Sequence, residues 1–342
     1  MKRTSVGFED KGKISVTKED LPQGASGHVL VEASLSAISA GSELLFYRGE
    51  LESDTAADLA IPALRKTLAY PLKYGYQSVG RIIDTSGGEA EMIGRRVFAF
   101  QPHHSHYWAD PADLILLPAD LSMEDAVFLP NMETAVNLLQ DGRPIIGEQV
   151  IVLGQGVVGL LTTSLLSRMA LASLITVDSI SQRRAASMEM GASACFAPEP
   201  HVAIMEALRQ GRNGDGSDGA DLLFEVTGNP EGLALALQLT GFNSRIIIGS
   251  WYGTKRAALA LGSSFHRNRI QIKSSQVSTL NPSLTGRWTK QRRLDTALQM
   301  LALVQPSGLI THRFSPEQAP EAYQLLDSSP GEAIQVIFDY SK

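Results

Sequence analysis

The sequence of 342 residues contains a single cysteine, Cys195. One cysteine excludes an internal disulfide and any metal site built from several cysteines. The apolar runs fall short of the roughly 18 residues that a membrane-spanning helix needs, so none is predicted. Residues 1–13 turn polar too early for the apolar core of a signal peptide, and these absences together predict a cytoplasmic protein.

Positive charge is also scarce, because 36 acidic residues outnumber 30 lysines and arginines and leave a formal net charge of −6. A nucleic-acid partner requires a basic face against its phosphates, so the sequence predicts no such partner. Hydrophobic residues make up 44% and charged residues 19%, the balance of an ordinary globular protein, and the length suffices for two domains.

Glycine is placed at informative spacing after a short apolar run at residues 150–153. The run leads into Gly154, Gln155, Gly156, Val157, Val158 and Gly159, the glycine pattern of a dinucleotide-binding βαβ unit. Gly154 would make the tight strand-to-helix turn, Gly156 would let the backbone approach a pyrophosphate, and Gly159 would let the helix pack closely. These six residues are therefore predicted to bind the cofactor, with its phosphates at a helix N-terminus.

The flanking sequence supports this interpretation. Residues 160–169 continue as an apolar helix, and a second strand at residues 174–177 ends at Asp178, about twenty residues beyond the last glycine. An acidic side chain there binds the ribose hydroxyls of NAD and repels the 2′-phosphate of NADP, so NAD(H) is favoured over NADP(H). Arg183 and Arg184 follow and would soften that preference. The alternative is an ordinary turn that ends in a surface aspartate.

The order of predicted elements indicates the fold class. Residues 1–120 alternate short β-like runs with turns, whereas from Ser122, a predicted helix cap, helices and strands alternate with short links. Such alternation predicts an α/β doubly wound parallel sheet. Its predicted elements are strand 150–153, helix 157–170, strand 174–178, helix 181–190, strand 221–225, helix 230–239 and strand 245–249. Residues 210–219 predict a loop rich in glycine and aspartate.

The chain resembles the medium-chain dehydrogenase/reductase superfamily, of the zinc-type alcohol dehydrogenase-like kind. The resemblance is carried by Ile38–Glu43, Gly75–Gly80, Gly94–Phe98, Gly147–Ile151 with the glycine motif, Glu225–Gly228 and Arg245–Gly249. Residues 37–49 and 70–80 look most like the bacteriochlorophyllide a dehydrogenase branch. The resemblance implies a GroES-like, β-rich catalytic domain over residues 1–122 and 275–342, and a Rossmann domain over 123–274.

The zinc ligands of the family are missing from the matching positions. Where zinc-dependent members have a cysteine, a His-Glu pair and a further cysteine or aspartate, this sequence has Ala40, Tyr76 with Gln77, and Pro130. None of these supplies the thiolate, imidazole or carboxylate that Zn²⁺ takes. The resemblance therefore implies a zinc-free member, and no metal ligand is assigned.

Without a metal, the substrate oxygen must be stabilised by hydrogen-bond donors. The resemblance places Ser42 where the family serine or threonine contacts that oxygen, and it directs Tyr76 toward the same spot. Glu43 and Glu133 are the available carboxylates. The structural alternatives are a turn hydroxyl for Ser42, a packed aromatic ring for Tyr76 and a buried ion pair for Glu43.

Three histidines, His103, His104 and His106, lie within four residues. A metal pair of His103 with His106, a substrate-facing role for His103 and a solvated loop are all open. By position in the family, Thr134 packs on the nicotinamide, and Thr227, Ser250, Trp251, Ser275 and Val277 line the rest of the cofactor site.

A cationic segment interrupts the acidic chain, with Arg287, Trp288, Lys290, Arg292 and Arg293 within seven residues. It would either recognise an anionic substrate through charge-assisted and stacking contacts or carry solvated charges at a helix start.

The favoured function is a zinc-independent oxidoreductase that acts between NAD(H) and a mid-sized secondary alcohol or its ketone. The alternatives are an NADPH-dependent enoyl or quinone reductase and a non-enzymatic NAD(H)-binding structural or sensor protein. A homodimer is expected, with the apolar residues 257–261 suited to an edge strand that pairs with a second copy.

Overall fold

The computed structural model describes residues 1–51, 69–87, 90–211 and 218–341. Of the loop predicted at 210–219, residues 212–217 lie outside this part of the chain. Within the described part, no helix is both long and apolar enough to cross a membrane.

The strands, in chain order, are β1 Lys2–Asp10, β2 Lys13–Asp20, β3 Val29–Ala37, β4 Ser78–Thr85, β5 Arg96–Ala99, β6 His106–Ala109, β7 Leu114–Leu116, β8 Gln149–Leu153, β9 Ser173–Val177, β10 Ala194–Phe196, β11 Ala220–Glu225, β12 Thr240–Ile248, β13 Gln271–Ser274, β14 Ile310–Phe314 and β15 Gln335–Asp339. The α-helices are α1 Ala40–Arg48, α2 Met123–Ala126, α3 Leu129–Gly142, α4 Val157–Leu166, α5 Ser181–Glu189, α6 Val202–Gly211, α7 Pro230–Leu239, α8 Lys290–Val304 and α9 Ala319–Ser328. Short 3₁₀ turns cover Ala90–Met92, Pro111–Asp113, Pro282–Leu284, Pro306–Leu309 and Pro316–Gln318, and a π turn covers Leu261–Phe265.

The chain divides into two compact units. Unit 1 comprises residues 1–130 and 301–342, and unit 2 comprises residues 131–300. Residues 275–300, which the sequence prediction grouped with the catalytic domain, lie in unit 2. The physical reason is Arg293, whose side chain is buried and bonded within unit 2, as described below.

Unit 2 is built on a six-stranded parallel sheet in the order β10-β9-β8-β11-β12-β13. Relative to β8 as the first strand, this is the 3-2-1-4-5-6 order of a doubly wound Rossmann sheet. All five residues of β8 are buried, as expected for a parallel strand covered on both faces. The predicted α/β fold class is therefore confirmed for this unit.

The predicted edge strand at residues 257–261 does not form. Residues 257–260 have no regular secondary structure, and Leu261 begins the π turn. The last strand of the sheet on that side is β13, which pairs with β12 through the register Arg245 to Gln271. Apolar composition alone does not make residues 257–260 a strand, because β13 already holds the place beside β12. The homodimer stays a prediction.

Unit 1 is the β-rich part of the fold. Its main sheet runs β14-β15-β3-β4-β5-β7, with β6 also paired to β3, and β1 and β2 form a separate antiparallel pair. β3 is central, and eight of its nine residues are buried or half-buried. A core that includes Phe8, Phe46, Tyr323 and Phe338 joins β1, α1, α9 and β15. This core fixes the N-terminal end of α1, where several predicted catalytic residues lie.

Candidate functional sites in the two units

The turn between β8 and α4 has the geometry that its glycines predict. Gly154 has φ +91°, and a Cβ there would lie 2.8 Å from the backbone of Val226. A Cβ on Gly159 would lie 1.9 Å from the carbonyl oxygen of Gly154, so only glycine lets the helix start so close to the strand. At Gly156, by contrast, a Cβ would meet nothing within 4 Å.

The open space at Gly156 suits a dinucleotide phosphate. Gly156 is the N-cap of α4 and has no side chain to bond the first helical N–H groups, which lack partners inside a helix. Those N–H groups belong to the turn that Val157 and Val158 begin, and both residues are half-buried. The turn follows β8, which lies between β9 and β11 in the sheet. The strand order reverses direction at β8, and ligands of doubly wound sheets bind at this switch point.

Asp178 follows β9 and is 8% exposed. Its Oδ2 accepts a hydrogen bond from the backbone N–H of Gln155 at 2.6 Å, and its Oδ1 accepts one from Ile180 N at 2.8 Å. The carboxylate thus ties the end of β9 to the glycine turn. Gln155 itself is fully buried, and its side chain donates to Val152 O at 3.3 Å and accepts from Thr163 Oγ1 at 3.1 Å.

The two arginines after Asp178 differ. Arg184 Nη1 donates to the carbonyl oxygens of Asp178 and Ser179 at 2.8 and 2.9 Å. Arg183 is half-buried; its burial lowers the pKa of its guanidinium, and the charge of Asp178 acts in the opposite direction. Arg184 is therefore occupied by backbone groups, and Arg183 is the arginine whose charge is coupled to the Asp178 carboxylate.

At the end of β11, Thr227 is held by a buried carboxylate. Glu225 is fully buried, and its Oε1 accepts hydrogen bonds from Thr227 N at 2.8 Å and from the Thr227 hydroxyl. Its Oε2 accepts from the Tyr252 hydroxyl, and burial followed by the charge of Glu225 raises the pKa of Tyr252. Ser250 Oγ accepts a hydrogen bond from Gly228 N at 2.8 Å. The loop after β11, which contains Thr227 and Gly228, is therefore bonded to the loop after β12, which contains Ser250.

Arg293 is the largest fully buried side chain of the described residues, at 1% exposed. Its guanidinium donates to Asn137 Oδ1 at 2.6 Å, to Thr279 O at 3.1 Å and to Val277 O, and it pairs with Glu133 at 2.9 Å. Burial raises the pKa of Glu133, while the positive charge of Arg293 lowers it. Glu133, predicted as a candidate proton carrier, is thus an ion-pair partner of Arg293.

Two of the remaining predicted cofactor residues, Ser275 and Val277, are bonded to the same network. Ser275 Oγ donates to Asp141 Oδ2 at 2.8 Å and accepts from Asn137 Nδ2 at 2.9 Å. Thr134 is half-buried on α3, and Trp251 is 42% exposed. Ser275 and Val277 are therefore held in place by α3 and by Arg293.

In unit 1, three hydroxyl groups meet at the start of α1. The Tyr76 hydroxyl is hydrogen-bonded to Ser39 Oγ and lies 3.3 Å from Ser42 Oγ. Tyr76 and Ser42 are half-buried, whereas Ser39 is 8% exposed. Tyr76 and Ser42 were predicted to share a site, and Ser39 is a third member that the sequence interpretation missed.

Glu43, one turn into α1, lies in a fully enclosed cluster that adjoins the three hydroxyl groups through Ser39. Its Oε1 accepts from Ser39 N at 2.7 Å, and its Oε2 lies 3.0 Å from His103 Nε2 and accepts from the Tyr323 hydroxyl. His103 Nδ1 lies 2.7 Å from Ser36 Oγ. The side chains of Glu43 and His103 are both 0% exposed. Burial, followed by the charge of Glu43, raises the pKa of Tyr323 well above its usual range.

The solvated-loop interpretation of His103 is therefore wrong, because its ring is buried and contacts β3, α1 and β15 through Ser36, Glu43 and Phe338. His106 is not its partner: His106 Nε2 faces Glu32 Oε1 at 3.6 Å. Glu43 adopts the buried structural alternative that the sequence left open. The partners Ser36 and Tyr323 were not predicted, because no local spacing links them to residue 43.

The donor set for a catalytic zinc is poor. Ala40 and Tyr76 offer no thiolate, imidazole or carboxylate, and Gln77 is fully buried with both amide atoms unpaired. Among the residues that the structure describes, no group of three or more His, Cys, Asp or Glu side chains is arranged to hold a metal ion. These residues do not fit a zinc ion of the family type.

The cationic segment at residues 287–293, which runs into the first turn of α8, splits into two parts. Arg287, Lys290 and Arg292 are exposed, and the Arg292 guanidinium lies 4.2 Å from the centroid of the Trp288 ring. Arg293 is buried, so it belongs neither to a solvated helix start nor to a surface that recognises an anion. The grouping of these cations in the sequence was wrong for Arg293, whose side-chain partners Glu133 and Asn137 lie in α3.

Comparisons with known proteins agree with this architecture. Residues 157–302 match the family model described as zinc-binding dehydrogenase. The chain is 28% identical over 242 residues to the uncharacterized zinc-type alcohol dehydrogenase-like protein YphC of Escherichia coli K12, which covers 70% of this chain and 63% of that protein. It is 25% identical over 224 residues to D-guloside 3-dehydrogenase of the same strain, covering 64% and 63%. The chain thus spans 63% of the length of these relatives.

Two solved structures share the fold over nearly the whole chain. 2R,3R-butanediol dehydrogenase from Bacillus subtilis has a TM-score of 0.79 at 18% identity, covering 98% of this chain and 99% of that chain. Galactitol-1-phosphate dehydrogenase from Escherichia coli has a TM-score of 0.77 at 19% identity, with coverage of 98% and 99%. The family match and the curated relatives show that the chain is similar to zinc-type alcohol dehydrogenase-like proteins, and the solved structures show that it shares their fold.

Proposed function

We propose that the chain is a zinc-independent oxidoreductase that transfers a hydride between NAD(H) and a secondary alcohol or its ketone. In this proposal unit 2 binds the dinucleotide and unit 1 handles the substrate oxygen. The observation that carries it is the hydroxyl trio of Ser39, Ser42 and Tyr76, because Tyr76 stands where the family resemblance expects a zinc ligand. The relatives named D-guloside 3-dehydrogenase and D-xylulose reductase favour a polyhydroxylated, sugar-like substrate.

The trio supplies the proton chemistry that hydride transfer requires. NADH bound at the glycine turn would supply the hydride that adds to the carbonyl carbon. As negative charge develops on the carbonyl oxygen, the Tyr76 hydroxyl donates its proton to that oxygen. Ser39 and Ser42 then donate hydrogen bonds to the Tyr76 phenolate and stabilise it. In the oxidation direction, the phenolate takes the substrate hydroxyl proton as the hydride leaves the carbinol carbon.

Removal of the Tyr76 hydroxyl tests this assignment. We expect Tyr76→Phe to lower kcat by about 10²- to 10⁴-fold, the usual contribution of a positioned acid-base group, and to leave NADH affinity unchanged. The matched control is Tyr47→Phe, which removes a hydroxyl from a half-buried tyrosine of the same unit. NADH oxidation is followed with a panel of ketoses and diketones on protein treated with a chelator. Equal kcat for Tyr76→Phe and wild type would refute the proton role, and activity restored only by Zn²⁺ would refute zinc independence.

The preference for NAD(H) rests on Asp178 and has its own test. Asp178→Asn keeps the side-chain shape and an acceptor oxygen for one of the two N–H groups, those of Gln155 and Ile180, and it removes the charge that repels a 2′-phosphate. We expect tryptophan-fluorescence titrations to show at least about tenfold less discrimination between NADH and NADPH. Unchanged discrimination would remove Asp178 from the ribose site. Wild-type preference for NADPH would favour the enoyl or quinone reductase alternative, and binding of neither would refute the dinucleotide assignment.

A further inference from the structure

Three arginines line an open cavity of about 560 Å³ on unit 1. Arg81 lies on β4, and Arg95 and Arg96 lie at the start of β5; Leu117 and Pro118 form part of the wall. The volume is within the range of small-molecule pockets, roughly 300–1,000 Å³. Arg81 lies three residues into β4, about 10 Å from the strand end that follows Tyr76. The cavity is therefore separate from the hydroxyl trio.

Two of these guanidinium groups are held in place by backbone carbonyls. Arg81 Nη1 donates to Gly94 O at 2.5 Å, and Arg96 Nη2 donates to Pro118 O at 2.6 Å. Since a guanidinium has five N–H donors, each retains four for a ligand. The side chain of Arg95 is exposed and forms no hydrogen bond or ion pair with the other described residues. The cavity thus presents two guanidinium groups of fixed orientation, those of Arg81 and Arg96, and one unbonded guanidinium group, that of Arg95.

The positive charge of the cavity is not neutralised by the fold. Arg81 and Arg96 face each other directly across the β4–β5 pair, where like charges destabilise a sheet. The carboxylate opposite Arg81 in register is Glu32 on β3, but its Oε1 lies 3.6 Å from His106 Nε2. Within the described residues, no carboxylate forms an ion pair with any of the three arginines. The arrangement therefore calls for an anion from solution.

We propose that this arginine cavity binds the phosphate group of a free small molecule, at a site distinct from the glycine turn. A carboxylate offers two oxygens, which one guanidinium fork satisfies, whereas a phosphate offers at least three oxygens and up to two negative charges for several forks. Leu117 and Pro118 then contact the organic part of the ligand. This inference does not depend on the proposed oxidoreductase activity.

The test is isothermal titration of the full chain with glucose 6-phosphate and, separately, with glucose. We expect saturable binding of the phosphate ester and none of glucose. Arg95→Gln and Arg81→Gln should each weaken the binding at least tenfold, which would locate it in the cavity. Arg267→Gln, at an exposed arginine of unit 2, is the charge-matched control and should bind like wild type. NADH titration of each variant reports independently on the glycine turn and should be unchanged.

Three outcomes would overturn the inference. Binding that survives in both arginine variants but disappears in Gly156→Val would place the phosphate at the glycine turn and leave the proposed function intact. Binding to phosphatidic acid vesicles without binding to glucose 6-phosphate would assign the arginines to a lipid headgroup. The absence of phosphate-ester binding at millimolar concentration in the wild-type protein, with normal NADH binding, would also refute a site for a free phosphorylated molecule.

Discussion

The glycine turn of unit 2 and the buried cluster of unit 1 solve the placement of functional groups in opposite ways. The turn is local: Gly154 and Gly159 lie five residues apart, and their fit depends on backbone contact alone. The cluster is assembled from distant parts of the chain, since Glu43 and Tyr323 lie 280 residues apart. A site formed by the backbone of one short segment can therefore be recognised from the spacing of residues in the sequence. A site formed by side chains from distant segments cannot.

Substitutions at Gly156 and Gly159 are expected to affect different properties of the protein, and the larger loss of stability is expected at Gly159. In Gly159→Val the Cβ would lie 1.9 Å from the carbonyl oxygen of Gly154, so the protein should lose more than about 3 kcal/mol of unfolding free energy. In Gly156→Val the new side chain meets open space at an ordinary backbone conformation. That variant should unfold at the same urea concentration as wild type and yet lose NADH binding. Normal NADH binding by Gly156→Val would show that the dinucleotide phosphates do not bind at the glycine turn.

The cluster is tested by removing the charge of Glu43 while keeping its shape. Glu43→Gln weakens the hydrogen bonds to His103 and Tyr323, and bonds to a buried charge contribute about 1.5–3 kcal/mol each. We expect urea unfolding to show a loss of roughly 2–4 kcal/mol, with NADH affinity unchanged. Tyr323→Phe removes only one of these hydrogen bonds, so its free energy of unfolding should fall by less than that of Glu43→Gln. A variant with wild-type stability and much reduced kcat would instead assign Glu43 to the reaction.

An effect that depends on pH, and is small near neutral pH, is expected at His104, which is 6% exposed. Burial, with the charges of Arg3 and Lys73, lowers the pKa of His104 to about 3. Between pH 6.5 and pH 3 the unfolded chain therefore binds a proton that the folded protein does not, so stability falls as pH falls through that window. We expect urea unfolding of the wild type to lose up to about 1.4 kcal/mol per pH unit more than His104→Gln. The exposed His266→Gln is the control, and parallel curves for wild type and His104→Gln would contradict the effect.

Much of the Rossmann fold was predictable from the sequence because its strands are short, apolar and bounded by turn residues. The helix predicted at 230–239 was confirmed at Pro230–Leu239, where Asn229 caps it and Pro230 starts it. The strand predicted at 245–249 was misplaced at its start, because β12 begins at Thr240, which pairs with Ala220. A register shift separates this pair from the pair of Leu222 with Arg245, and Asn243, which has φ +53°, lies in the shifted stretch. Local composition gives no sign of such a shift.

The candidate sites were less predictable wherever partners are remote. Ser42 and Tyr76 were placed together correctly, but Ser39 was missed because serine at a helix start is ordinary. Arg293 was grouped with its exposed neighbours because its environment is set by Glu133 and Asn137, which precede it by 160 and 156 residues. Burial of a charge becomes visible only when the partners that satisfy it are known.

The inward-facing amide of Gln155 has a consequence for protein engineering. The glycine pattern allows any residue at position 155, yet here the Gln155 side chain holds the turn in place through hydrogen bonds to Val152 and Thr163. Attempts to reprogram cofactor choice by varying the whole loop would therefore disturb the scaffold before they altered recognition. The productive library leaves residue 155 fixed and varies positions 178 to 184, where Asp178 and Arg183 are predicted to contact the ribose end of the cofactor.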